Sequence, residues 1–281
     1  MHEVMSPKEP IDILVPTYNS GKYLNEALAA IKKCVPLNRI IAADHYSKDE
    51  TVNILRNHGA EVYFENQSLG YARQLLIEKA STDVFMMLDS DVIIQGTEWY
   101  SKALGMLGNR ADGSGIVGAV ALIPKVNPPV QLKKYTEFWW RVFPSMKRNF
   151  FVTHSTLILK DSVRGIRIPV ELYAAEDVYV WLYMKRRGYV SRTMEVEGVH
   201  HFVRSETKGE WMGANLRILR DFVGHKVTPF VLRNVIVYPI LATIAALFMR
   251  DVKVLTYNVK RWYGYLRGYL NPKRFRQLQG S

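Results

Sequence analysis

From Ile11 to about residue 125, short apolar runs alternate with stretches whose apolar positions recur every three or four residues. The runs have the length of strands, and the recurrences have the period of one helix face. Ile11–Val15 predicts a first strand, closed by Pro16, and Leu24, Ala27, Leu28 and Ile31 predict the helix after it. Arg39–Asp44 predicts a second strand. Ser47 and Glu50 have the spacing of a capping box for a helix that reaches Asn57 and stops at Gly59. Glu61–Phe64 predicts a third strand, about Leu69 to Ala80 a third helix, and Asp83–Leu88 a fourth strand. Thr97 stands where a cap belongs, ahead of the helical face Tyr100, Ala103, Leu104 and Leu107. Strands alternating with helices predict right-handed βαβ crossovers, and so an α/β fold with a mostly parallel sheet flanked by helices.

The fourth run ends in Asp89-Ser90-Asp91. A short, continuously apolar strand is one whose two faces are both covered, and ligands of open α/β sheets sit at the carboxyl ends of such strands. In an extended chain residues i and i+2 share a side, so Asp89 and Asp91 are placed to converge on one cation. Hard carboxylate oxygens suit Mg²⁺ or Mn²⁺ held together with substrate phosphates. A helix N-cap followed by a solvated turn accounts for the same triplet, and on the triplet alone both readings stand.

Among the 281 residues 48% are hydrophobic, enough for a substantial core. The net charge of +12 is uneven: from Trp211 to Ser281, 12 Lys/Arg face two acids, which leaves +2 for residues 1–210. Basicity therefore belongs to the tail. The single cysteine, Cys34, excludes an internal disulfide and fits a reducing compartment. Met1–Pro10 has no apolar core of the kind a secretory signal needs. There is no Walker-type phosphate loop. Gly113, Gly115 and Gly118 have the spacing of a dinucleotide fingerprint but open a strand, so they predict a turn and a tightly packed strand start.

Taken together, several short motifs resemble the family 2 glycosyltransferases, which share the GT-A fold. They are Val15-Pro16-Thr17-Tyr18-Asn19 after the first strand, Asp44-x-x-Ser47-x-Asp49-x-Thr51 after the second, and Gly70 with Arg73 after the third. Asp89-Ser90-Asp91 follows the fourth, then Glu176-Asp177 and Gly188-Tyr189, in the family's order over roughly residues 10–205. One place departs from it: the usual second Asp and Gly after Asp44 are His45 and Tyr46. The resemblance implies a catalytic domain at 1–210, with a nucleotide-sugar half (about 10–125) and an acceptor half (about 126–210). It implies that Pro16, Thr17, Tyr18 and Asp44 hold the nucleoside, and that Arg73 and Ser90 lie at the ribose and phosphates. Asp91 would bind Mn²⁺ or Mg²⁺ on the diphosphate, with Asp89 at the ribose or the same ion. Alone, Asp44 also reads as an Asx-turn and Arg73 as a solvated helix residue.

Ala174-Ala175-Glu176-Asp177 starts a helix that ends in Lys185, Arg186, Arg187 and a Gly188 cap, so dipole complementarity by itself explains both acids. The resemblance makes Asp177 the general base, kept ionised by the helix dipole, and Glu176 an acceptor contact. It also implies a metal-binding His at His200 or His201 after the strand-like Val190–Val199; a strand-end His bonded to backbone fits equally. Arg204, Ser205, Thr207 and Lys208 read as a lid or as a solvated loop.

In the basic helical tail, 211–281, the 16 residues Asn234–Met249 carry no charge. At ~1.5 Å each they span about 24 Å, short of a ~30 Å hydrocarbon core, and Pro239 interrupts them. This favours a helix lying in or dipping into a membrane interface over a single membrane span. Trp262, Tyr265, Leu266 and Tyr269 beside Lys260, Arg261 and Arg267 fit an anionic membrane surface or a helix packed on the catalytic domain. Lys273, Arg274 and Arg276 would attract any polyanion, but no nucleic-acid recognition motif accompanies them. The expected whole is an inverting glycosyltransferase using a UDP- or GDP-type sugar donor. It would be peripheral or monotopic on the cytoplasmic face of a membrane, with a lipid-linked or polyprenyl-phosphate acceptor. The rivals are a catalytically silent scaffold of the same fold and a nucleotidyltransferase, for which Val15–Gly21 is not the usual phosphate loop.

Overall fold

A computed structural model describes residues 9–111, 115–127, 138–139, 141–142, 152–202 and 209–272. The expected strands form β1 (Ile11–Thr17), β2 (Leu37–Asp44), β3 (Glu61–Phe64) and β4 (Val84–Leu88). The helices between them are α1 (Gly21–Cys34), α2 (Thr51–Asn57) and α3 (Leu69–Lys79). These four strands pair in parallel in the order β3-β2-β1-β4. Alternation fills both faces: Val84, Met86 and Leu88 join Leu24, Leu28 and Ile31 of α1, while Phe85 and Met87 join Leu76 and Ile77 of α3. Local capping differs from the expectation. Ser47 does not cap α2, which starts four residues on at Thr51; its hydroxyl donates to Asp44 and accepts from the Asn19 amide. Ser68 does cap α3, accepting from the Tyr71 amide at 3.1 Å.

Beyond β4 the chain leaves the regular alternation. β5 (Val92–Ile94), α4 (Glu98–Met106), β6 (Arg110–Ala111), β7 (Gly115–Asn127) and β8 (Ser155–Leu159) lead to α5 (Glu176–Arg186) and β9 (Tyr189–Phe202). The sheet continues β4-β8-β7-β9-β5, with β6 on the edge of β7. β8 runs antiparallel to both neighbours and β5 antiparallel to β9, so the second half is mixed. Thr97 precedes α4 but makes no side-chain cap bond. Gly118 meets its expected constraint: a Cβ there would lie 2.7 Å from Ser162 Cβ.

The last elements are α6 (Gly209–Val223), α7 (Thr228–Leu232), α8 (Tyr238–Met249) and α9 (Val252–Leu270). A 3₁₀ turn and a π-helical turn at Arg233–Val237 join α6, α7 and α8 into one helical run, and the run continues past Pro239. Gly209–Met249 is therefore 41 residues long, with mean hydropathy 1.9 and 17% burial in its most apolar stretch. By length and composition it can cross a membrane. The length argument drawn from Asn234–Met249 alone is corrected, because that stretch is not a separate helix.

The run does not stand apart from the α/β layers. Leu216, Ile218 and Leu219 of α6 pack with Ile77, Val180 and Met184. α9 turns back along α6, with Gly209 and Gly213 against Gly264 and Gly268 where a Cβ would overlap opposing backbone. Tyr265 is buried and Trp262 Nε1 donates to the Val235 carbonyl at 3.0 Å. Tyr265 and Trp262 of the aromatic stripe thus meet protein, while Leu266 and Tyr269 are partly exposed. Lys273, Arg274, Arg276, Gly113 and the segment with Arg204, Ser205, Thr207 and Lys208 lie outside the described residues.

Candidate active site

The site is built where three parallel strands end in register. Thr17, Asp44 and Phe64 are paired neighbours at the carboxyl ends of β1, β2 and β3. Asp44 is 0% exposed. Its Oδ2 accepts from Thr17 Oγ1 at 2.8 Å and Ser47 Oγ at 2.6 Å, and its Oδ1 accepts from the Ser47 amide at 2.8 Å. Asp44 thus holds the amide three residues on, one further than an Asx-turn reaches. Thr17 is buried with it, while Tyr18 is well exposed beyond Pro16.

Around Asp44 the two loops are laced together. The Asn19 amide donates to Ser47 Oγ at 2.8 Å, the Ser20 amide to Thr51 Oγ1 at 2.6 Å, and the Gly21 amide to Asp49 Oδ2 at 3.0 Å. The spacing of Asp44, Ser47, Asp49 and Thr51 is the spacing of these contacts. Ser90 Oγ donates to Ser20 Oγ at 2.8 Å, tying the Asp-Ser-Asp segment to the same platform.

Asp89-Ser90-Asp91 is a turn between β4 and β5, not extended chain, with the Val92 amide bonded to the Asp89 carbonyl at 3.1 Å. The two carboxylates accordingly take different partners. Asp89 Oδ1 accepts from Arg73 Nη2 at 2.8 Å, and Asp91 Oδ1 lies 3.3 Å from His201 Nε2. Burial opposes charge on Asp89, but the Arg73 guanidinium beside it holds its carboxyl below the ordinary value. β5 pairs with the end of β9, and this antiparallel ladder delivers His201 to Asp91. His200 is opposite Ile93, its ring against Phe202, and strand alternation sends it to the other side.

Arg73, expected at the ribose or phosphates, is 2% exposed. Its Nε donates to Glu176 Oε1 at 3.0 Å while Nη2 holds Asp89, so one side chain joins α3, the Asp89 turn and the start of α5. Glu176, expected at the acceptor, is buried behind the wall in that pair. Asp177 is the half-buried neighbour. Burial, and then the charge of Glu176, push its carboxyl up to about 7, against the Val178 amide that donates to its Oδ1 at 2.7 Å. The helix-dipole expectation that Asp177 stays fully ionised is thereby corrected.

Four further residues belong to the site. His154 lies with its ring centroid 5.0 Å from that of His201, and its carbonyl accepts from the Asp89 amide at 2.8 Å. It sits one residue before β8, which the strand pattern before Leu159 would have indicated. Asn215 Oδ1 accepts from the Tyr173 and Ala174 amides at 2.9 and 3.0 Å, so α6 fixes the entry to α5. Ala175, just before the two acids, has φ 62°, a conformation costly for alanine and one that aims the helix start. Glu65 stands behind His45, with Oε1 2.7 Å from its Nδ1. No sequence signal marks Ala175, Asn215 or Glu65.

Residues 12–170, more than half of the chain, match the sequence profile described as Glycosyl transferase family 2. The chain belongs to that family. No curated protein matches it in sequence at significance. Among solved structures this family member is similar to mannosyltransferase PcManGT from Pyrobaculum calidifontis, solved with GDP-Man and Mn²⁺. Identity is 15%, coverage 98% of this chain and 90% of that one, and the TM-score 0.63. S. aureus TarS 1-349 has 16% identity, 96% and 92% coverage and TM-score 0.53. Glucosyl-3-phosphoglycerate synthase from Mycobacterium tuberculosis, with Mn²⁺, UDP and phosphoglyceric acid, has 14% identity, 76% and 78% coverage and TM-score 0.52. At these identities the likeness shows the fold, and the glycosyltransferase's mixed sheet is of the GT-A type.

Proposed function

We propose that this glycosyltransferase moves a sugar, with inversion, from a nucleotide-diphospho-sugar to an acceptor hydroxyl or phosphate held at a membrane. The observation that carries the proposal is the Arg73 bridge, which sets the Asp89 turn and the Asp177 helix start against each other across one wall. A donor on the Asp89 side and an acceptor near Asp177 would then be neighbours.

Asp91 and His201 fit a divalent cation: a carboxylate and an imidazole face each other, both partly exposed, and Mn²⁺ accepts both ligand types. Among the described residues no group of three or more His, Cys, Asp or Glu forms a closed cage, which suits an ion shared with donor phosphates. When bound, such a cation neutralises charge on the departing nucleoside diphosphate. The protein's own part is the proton. Asp177 takes it from the acceptor O–H, the oxygen bonds to the anomeric carbon, and the bond from that carbon to the phosphate oxygen breaks with its electron pair. Attack opposite the leaving group inverts the configuration.

The membrane part rests on α8 and α9. Ile236, Ile240, Leu247, Phe248, Val252 and Leu270 are exposed, and Arg250, Lys253 and Lys260 lie among them. Because α9 returns with charges along it, the helical hairpin is read as dipping into the interface on the cytoplasmic face, with a lipid-linked or polyprenyl-phosphate acceptor.

The test is donor binding and hydrolysis across UDP-, GDP- and dTDP-sugars with Mn²⁺, Mg²⁺ or EDTA, for wild type and Asp91→Ala. The expected result is metal-dependent use of one nucleotide class that Asp91→Ala loses. Folded protein that binds none of them would sink the donor reading, and a product with retained anomeric configuration would sink the single displacement.

A further inference from the structure

One row beyond the paired ends of β1, β2 and β3 stand Tyr18, His45 and Glu65. The ladder carries the row one step further, with the His45 amide on the Thr17 carbonyl at 2.9 Å and the Glu65 amide on the Asp44 carbonyl at 3.0 Å. Glu65 is an almost fully buried carboxylate at the end of a strand. Its Oε2 accepts from the Gln67 amide at 2.8 Å, and its Oε1 lies 2.7 Å from His45 Nδ1. A carboxylate only accepts, so Nδ1 carries the hydrogen, and a neutral imidazole then presents Nε2 as an acceptor. The His45 side chain is 40% exposed, and Nε2 has no protein partner among the described residues.

Flat apolar surface frames this acceptor. Tyr18 meets the His45 ring edge-on at 5.3 Å, and Tyr46 stacks on Phe64 at 5.4 Å; Tyr18, Tyr46 and Phe64 are all strongly exposed. Tyr46 holds this place at φ 48°, a backbone region that a bulky residue enters only at a cost. His45 and Tyr46 are the two positions that depart from the family's usual Asp-Gly. Asp44, the residue implied to read the base, is buried with both oxygens taken.

We infer that His45, oriented by Glu65, reads the base of the donor nucleotide by accepting a ring N–H. This rests on the donor reading above. Uracil, thymine and guanine carry an imide or amide N–H on the pairing edge, whereas cytosine and adenine carry a bare ring nitrogen there. Two lone pairs facing each other repel, so the pair selects the first group against the second. Glu65 is the positioning residue and His45 the specificity residue.

The experiment measures binding of UDP, TDP, GDP, CDP and ADP by calorimetry with Mn²⁺, for wild type, His45→Ala, His45→Gln and Glu65→Ala, with Asp91→Ala as the metal-site control. Wild type is expected to prefer one or more of UDP, TDP and GDP over CDP and ADP by at least about tenfold, the size of one hydrogen-bond discrimination. His45→Ala and Glu65→Ala should reduce that ratio to within about threefold, mostly by weakening the preferred ligand. A wild-type preference that survives unchanged in folded His45→Ala and His45→Gln overturns the inference. So does equal binding of all five by wild type, which leaves the donor reading intact. Wild type that binds none of the five overturns both.

Discussion

As the proposed base, Asp177 would couple chemistry to pH through its surroundings. Its carboxyl is pushed up to about 7 by burial and by Glu176, and a general base works only when ionised. Transfer should therefore fail as pH falls through about 7, and Asp177→Asn should lower kcat by about 10²–10⁴-fold with nucleotide binding kept. Glu176→Gln removes the neighbouring negative charge, so the acid limb of the rate profile should move to lower pH. A limb that stays put would show that Glu176 does not set the base. The sign for stability is opposite. The folded chain holds this proton up to about 7 while the unfolded chain releases it near ~3.9, so stability falls between those values and is level above. Asp177→Asn should flatten that slope in urea titrations. Residue identity at 176 and 177 was legible in the sequence, but the raised carboxyl was not. Proton affinity depends on what covers a side chain, and neither burial nor the distance to Arg73 is written in local order.

At the scale of elements, the strands and helices of the first half follow directly from periodicity. Covered strands must be apolar, and single-faced helices must repeat every three or four residues. Neither expected cap forms: Ser47 is taken up by Asp44 and the Asn19 amide, partners that only the tertiary fold brings near, and Thr97 makes no side-chain cap bond. The stripe on α9 stays open between two readings in the sequence for a related reason. A stripe of Trp262, Tyr265, Leu266 and Tyr269 looks the same from sequence whether lipid or protein faces it. Glycines at 209, 213, 264 and 268 set α9 against α6, because they let the two backbones touch. Gly213→Ala should be destabilising by about 1–3 kcal/mol through overpacking against the Tyr265 carbonyl, read as a lower urea midpoint at unchanged m-value. Gly105→Ala in α4, where a Cβ meets open space, is the matched control and should be close to neutral or stabilising.

The tail carries the basic surplus of the sequence and, on its described helices, most of the exposed apolar side chains. Eleven of the 16 large apolar residues found exposed among the described ones fall between Phe222 and Leu270. That concentration, with the +10 of the last 71 residues, is what an anionic interface would hold. The double variant Leu247→Asp with Phe248→Asp should lose flotation with anionic vesicles while donor hydrolysis in solution stays within about twofold. Vesicle binding that persists in the variant would move the contact elsewhere on the tail or assign it to charge alone.

Sequence by itself determined the βαβ front, the family, and the position of every acid in the site except Glu65, because periodicity and short motifs are local properties of a chain. Tertiary structure decided which partners those acids have. Arg73 and Glu176 lie 103 positions apart, and only the folding of α3 against α5 makes them a pair that serves Asp89. It also separated His201 from His200, since the β5–β9 ladder sets which of two adjacent histidines faces Asp91. His45 shows both levels at once: sequence marks it as a departure from pattern, and strand register alone sets Glu65 behind it.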